Sequence, residues 1–135
     1  MCCVNSPETV KKFLKDNKDK DEFTFYKVYR RTPQNNLWPT FFPDKMVQPG
    51  VIKSNNRKTI KESQEKCGVI FEGIHVYLYK KFALIISKIK PSYVVVPVLC
   101  RKKDLLGIEF PFHGSETAVF TKVRLRKRAY KKAIS

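Results

Sequence analysis

Gly73–Cys100, GIHVYLYKKFALIISKIKPSYVVVPVLC, is the most apolar stretch of the chain and decides how its fold is read. Ile74, Val76 and Leu78 alternate with His75, Tyr77 and Tyr79, the period of two that marks a half-buried strand. Phe82, Ile85, Ile86 and Ile89 then recur at helical spacing and define one apolar helix face. Pro91 ends that helix, because proline has no N–H and disfavours a helical residue before it. Tyr93–Cys100 follows as a β-branched run, with Pro97 requiring an edge position or a bulge.

Outward from this strand–helix–strand unit, the N-terminal side begins with a helix. Ser6 is its N-cap, Pro7 its first residue, Glu8 lies in its first turn, and Val10, Phe13 and Leu14 form its apolar face. The balanced run KDNKDKDE connects it to FTFYKVYRR (Phe23–Arg31), a strand in which apolar and charged residues fall on both faces. Thr32–Gly50 holds Pro33, Pro39, Pro43 and Pro49 and reads as irregular, with Trp38, Phe41 and Phe42 either pinning the loop to the core or presenting it to a protein partner. Pinning is favoured, since large exposed apolar patches are uncommon. Val51–Ser54 reads as a short strand, Asn55–Lys58 as a basic turn, and Thr59–Glu62 as a capping box that opens a two-turn helix to Lys66.

On the C-terminal side, Arg101–Asp104 is a turn, Leu105–Phe112 a short strand or extended segment, and His113–Ser115 another turn. Ala118–Arg126 reads as one strand with Val119, Thr121, Val123 and Leu125 on one face and Lys122, Arg124 and Arg126 on the other. Its cations stand roughly 6.5–7 Å apart, the scale of successive phosphates. Arg128, Lys131 and Lys132 extend the charge into a terminal helical turn.

These elements make a single α+β domain over residues 1–135: a mainly antiparallel, twisted sheet of about five or six strands with two or three short helices. Residues 1–22 supply the capped helix and connector, 23–126 the β-rich core, and 127–135 a basic C-terminal extension. The expected core includes Phe82, Ile85, Ile86, Ile89, Val94, Val96, Val98, Val119, Val123 and Leu125. At 42% hydrophobic and 13% aromatic the chain is globular rather than disordered. No apolar run approaches the roughly 20 residues that span a bilayer, and MCCVNSPETVKK lacks the pattern of a signal peptide. A soluble, cytoplasmic protein with no membrane partner is expected.

The net charge of +16 is unevenly spread. Residues 1–22 are neutral, 23–72 carry +5, 73–103 carry +7 with no acid, 104–109 carry −2 and 110–135 carry +6. Such clustering attracts phosphates and polyanions, with an affinity that salt weakens. Lys122, Arg124, Arg126, Arg128 and Arg57 are therefore the expected anion-binding residues, and the row His75, Tyr77, Tyr79 a candidate platform for stacking bases. A second packed face is the equally weighted alternative for that row.

Catalytic signals are sparse. There is no Gly-rich phosphate loop, HExxH pair or GxSxG elbow, and Glu72 and Glu116 are isolated. Cys2 and Cys3 are adjacent while Cys67 and Cys100 are distant, so no pair has zinc-ligand spacing, and Cys100 reads as a buried free thiol. No catalytic residue, metal or cofactor is assigned.

The order YKVY (Tyr26–Tyr29), PGVIKS (Pro49–Ser54), GIHVYL (Gly73–Leu78) and AVFTKVRL (Ala118–Leu125) resembles small accessory proteins of phages and large DNA viruses. That resemblance implies a viral origin, the cytoplasm of a host cell and a β-rich fold with a strand–helix crossover. It carries over no functional residue. Tyr26-Lys27 and Gly73-Ile74-His75 also resemble segments of small ADP-ribosyltransferase-like domains, but no glutamate stands where a catalytic acid is expected. The leading expectation is non-enzymatic binding of nucleic acid or a small nucleotide signal, in a setting such as interference with host defence. A virion assembly component, forming homo-oligomers or docking a partner at Trp38, Phe41 and Phe42, and a transferase at His75 are the alternatives.

Overall fold

The longest ladder joins strand β1 (Glu22–Arg31) to β5 (Tyr93–Arg101), antiparallel, with nine paired positions from Glu22↔Arg101 to Arg30↔Tyr93. This computed structural model describes residues 7–40, 45–54, 73–109 and 116–135. The register resolves which face of β1 is buried. Phe23, Phe25 and Tyr29 face the core with Val94, Val96, Val98 and Cys100 of β5, and Lys27 lies in the same row opposite Val96. Thr24, Tyr26, Val28 and Arg30 form the outer face with Leu99, Pro97, Val95 and Tyr93.

Around this pair the sheet adds β2 (Leu37–Pro39), β3 (Gly50–Lys53), β4 (Ile74–Tyr77), β6 (Leu105–Glu109), β7 (Thr117–Phe120) and β8 (Lys122–Leu125). Its order is β3-β8-β5-β1-β4-β7-β6, with β2 paired to β1. The architecture is α+β and the ladders are antiparallel, as expected, but the described residues form eight strands rather than five or six. One of the extra strands is β2, whose three residues sit within the Pro-rich segment. Asn35, at φ 60°, turns the chain into it, and Leu37 is fully buried. Trp38 beside it is half-buried on β2, while Phe41 and Phe42 lie outside the described residues.

Another extra strand corrects the reading of Ala118–Arg126 as one element. The chain breaks at Thr121, and β7 and β8 then pair in different parts of the sheet, four places apart. Thr121 donates its N–H to Asp104 O (2.8 Å) and accepts from the Ser54 N–H (2.8 Å), so it belongs to neither ladder. The alternation slips by one there. Ala118 and Phe120 join the core row with Ile74 and Val76, whereas Val119 shares the opposite face with His75, away from the core row of Val123 and Leu125. A single residue spanning four strand positions requires the sheet to curl strongly. It stays open: β3 and β6 end it without pairing to each other.

Among the described residues three α-helices cover the curled sheet: α1 (Pro7–Asp16), α2 (Lys80–Ser87) and α3 (Lys127–Ile134). α1 buries Val10 and sets the Phe13 ring 5.1 Å from Phe23. Its C-terminal end receives Lys102, whose Nζ donates to the carbonyls of Asn17 (2.7 Å) and Lys18 (3.2 Å), where the helix dipole favours a cation. α2 lies on the outer face through Ala83, which is fully buried. The expected helix face is therefore not the buried one. Phe82 and Ile86 are half-buried, but Ile85 and Ile89 are 54% and 65% exposed, because close approach to the sheet uses the small Ala83 side chain instead.

β8 meets β5 at one position, Leu99↔Arg124, and diverges. α3 then packs along β5 in its place, with Ala129, Tyr130, Ala133 and Ile134 against the core, so residues 127–134 are an integral helix rather than an extension. Pro97 sits two residues past that last pairing, on a stretch with a strand on one side only. That is the edge-like setting proline requires. Among the described residues no helix is long and apolar enough to cross a membrane. The proposed helix at 59–66, Arg57 and His113 lie outside the described residues.

Candidate anion-binding groove

Registers place Arg124 opposite Leu99, Leu99 opposite Thr24, and Tyr26 opposite both Pro97 and Tyr77. Lys122 and Arg124 therefore point to the same sheet face as Tyr26, His75 and Tyr77. On this face three hollows follow β5 in series. The first, about 200 Å³, has Leu99 and Val51 at its base and Arg101, Lys122 and Arg124 around it. The second, about 210 Å³, shares Leu99 and is lined by Thr24, Pro97, Arg126, Arg128 and Lys132. The third, about 500 Å³, shares Pro97, Ala129 and Lys132 and adds Tyr26, Arg31 and Lys80. Together they form a groove along β5 from Arg101 to Val94, roughly 24 Å long at the rise of an antiparallel strand.

Charge is not uniform along it. The acids Glu22 and Asp104 line only the first hollow, where Glu22 pairs with Arg101 at 3.8 Å between half-exposed side chains. Among the described residues the second and third hollows have cationic side chains and no acidic ones. Arg31 is partly committed, donating from Nη1 to Ser135 O at 2.8 Å. Arg124, Arg126, Arg128 and Lys132 are exposed and accessible to a ligand. Arg126, Arg128 and Lys132 gather at the β8–α3 junction, beyond the strand ladder read from sequence. Gathered like charges repel, and an anion between them relieves that repulsion.

Four expected anion-binding residues, Lys122, Arg124, Arg126 and Arg128, thus line one groove, while Arg126 stands as the N-cap residue of α3 rather than on a strand. The stacking row is not assembled there. β4 is three places from β8 in the sheet, about 14 Å along its curved surface. Tyr77 is half-buried with its ring 5.4 Å from Phe82 in edge geometry, and burial raises its hydroxyl pKa. His75 Nε2 lies 3.8 Å from Oε2 of the buried Glu109. Tyr79 is 53% exposed and precedes α2. The aromatic that does reach the groove is Tyr26, which sequence reasoning missed together with Arg101, Arg31 and Lys80. The signal was the β1 period, obscured by Lys27 on the buried face.

Cys100 is a free, fully buried thiol whose pKa burial pushes up to about 12, so it is chemically quiet. Among the described residues no group of three or more His, Cys, Asp or Glu is placed to hold a metal ion. In comparisons with known proteins the chain matches no family model, no curated protein and no solved structure.

Proposed function

We propose that this protein binds a phosphate-bearing ligand, nucleic acid or nucleotide, in the β5 groove without chemically transforming it. The observation that carries this reading is the confinement of acids to one end of a groove whose remaining length is lined by Arg126, Arg128, Lys132 and Lys80. Its base, Leu99, Pro97 and Val95, is apolar and suits a ligand with flat rings between its phosphates. The resemblance to viral accessory proteins gives a setting in which such binding coats nucleic acid or sequesters a signal in the host cytoplasm.

The test is Arg124→Ala combined with Arg126→Ala. Both side chains are exposed, so thermal unfolding should change little. Affinity for a labelled oligonucleotide should fall at least tenfold, and the slope of log affinity against log salt should flatten by about 1.4, at roughly 0.7 per lost phosphate contact on a single strand. Affinity and slope equal to the parent's would refute the reading. A second reading, assembly with a protein partner, is supported by Leu84, Ile85 and Ile89, 43–65% exposed on and just beyond α2. On that reading the assembly surface is α2, and Ile85→Ser with Ile89→Ser lowers the oligomeric state seen by light scattering; a parent that is monomeric at high concentration rules it out.

A further inference from the structure

The two walls of the groove are chemically unlike. On the β8–α3 side stand Lys122, Arg124, Arg126, Arg128 and Lys132. On the β1–α2 side stand Glu22, Thr24, Tyr26 and Leu84, with Lys80 and the already engaged Arg31 at the far end. Between them lie Leu99, Pro97 and Val95, successive outer-face residues of β5. A ligand that matches this cross-section carries anionic groups along one edge and apolar, flat groups along the other, repeating over roughly 24 Å.

We infer that the ligand is a single nucleic-acid strand lying lengthwise along β5, its phosphates on the β8–α3 wall and its bases over Leu99, Pro97 and Tyr26. This rests on the anion-binding reading above and sharpens it. A duplex matches this cross-section less well: its bases are already stacked and paired inside, so they leave the apolar wall uncovered. The groove's length takes about three or four extended nucleotides, at the lower end of the site sizes of single-strand binders. Tyr26 supplies the stacking ring, and its position opposite Pro97 puts it at the third hollow, the roomiest of the three at about 500 Å³.

Fluorescence anisotropy with labelled oligothymidylates of 2 to 12 nucleotides, the 12-mer annealed to its complement, and inorganic polyphosphate distinguishes the possibilities. Affinity should rise at least tenfold from 2 to about 4 nucleotides and then level off, and the duplex should bind at least tenfold more weakly than the single strand. Tyr26→Leu should lower single-strand affinity about tenfold with an unchanged salt slope. Pro97→Glu, at an exposed position, should abolish binding and guards against a folding defect in the Tyr26 variant. Equal affinity for duplex and single strand, a 2-mer that binds as tightly as the 4-mer, or an unchanged Tyr26→Leu variant overturns the single-strand assignment while leaving anion binding intact. Failure of every probe, polyphosphate included, at low salt overturns anion binding itself.

Discussion

Replacing Lys27 by methionine should make the protein more stable at neutral pH. Lys27 lies on the core row of β1 opposite Val96, with no carboxylate within ion-pair distance among the described residues. Its Nζ donates to His75 O at 2.9 Å and sits 5.7 Å from the centre of the Tyr29 ring. Burial pulls its pKa from 10.5 down to about 8, which corresponds to roughly 3 kcal/mol against the protonated folded protein. Methionine keeps most of the stem and its packing but gives up the hydrogen bond, about 1 kcal/mol, and the ring contact, about 0.5–1 kcal/mol. The net expectation is a gain of about 1–2 kcal/mol at pH 7.

The sign of the pH dependence follows from proton counting. Between pH 8 and 10.5 the unfolded chain holds the Lys27 proton and the folded chain has released it, so parent stability rises with pH over that window. The penalty is complete below pH 8 and absent above 10.5. Cys100 acts in the opposite sense above pH 9, because its thiol ionises only in the unfolded chain, but it is present in both proteins and cancels in their difference. Urea unfolding followed by Trp38, the single tryptophan, at pH 7, 8, 9 and 10 supplies that difference. A Lys27→Met protein less stable than the parent at pH 7, or a gap that stays constant from pH 7 to 10, would refute the argument.

Gly73 precedes β4 at φ 144°, and a β-carbon there would clash with Val119 Cγ1. Gly73→Ala should cost about 2–4 kcal/mol from backbone strain and overpacking combined, read as a melting temperature lower by roughly 6–20 °C; a shift under 2 °C would show that Val119 yields freely. On α2 the exposures predict opposite outcomes for neighbouring changes. Ile89→Ser should alter stability by no more than about 0.5 kcal/mol, whereas Ala83→Leu, against β1, should cost about 1–3 kcal/mol. Denaturant midpoints reporting the reverse order would mean that α2 seats on the sheet by its aliphatic face.

Much of the fold was legible because several segments obey one local rule each. The β-branched run Tyr93–Cys100 is a strand, and Lys122 and Arg124 alternate with Val123 and Leu125 on opposite faces, whereas the helix before Pro91 already stops at Ser87, with Lys88 as its C-cap. What stayed hidden depended on tertiary choices. The buried face of β1 was masked by a lysine among aromatics, which only a carbonyl from β4 and a neighbouring ring make tolerable. The break at Thr121 has no glycine or proline to mark it; two hydrogen bonds from distant segments impose it. Helix periodicity placed Ile85 and Ile89 inward, but a two-turn helix on a curved sheet seats on its smallest side chain. Of the groove, the cations on β8 and α3 were visible in the sequence, whereas Arg101, Arg31 and Tyr26 join them through strand pairing alone.

The β1–β5 ladder also governs how the chain is born. From the end of β1 at Arg31 to the end of β5 at Arg101, 70 residues must be synthesised before the nine-pair register can close. At about 5–20 residues per second that is roughly 4–14 s, during which Phe23, Phe25 and Tyr29 lack their partners on β5. A nascent aromatic strand held open that long is a substrate for chaperones and a hazard for aggregation, and protease mapping of chains stalled before Tyr93 would find it cleavable. Yield in a cell then depends less on the finished protein's stability than on protection of those three rings during the wait.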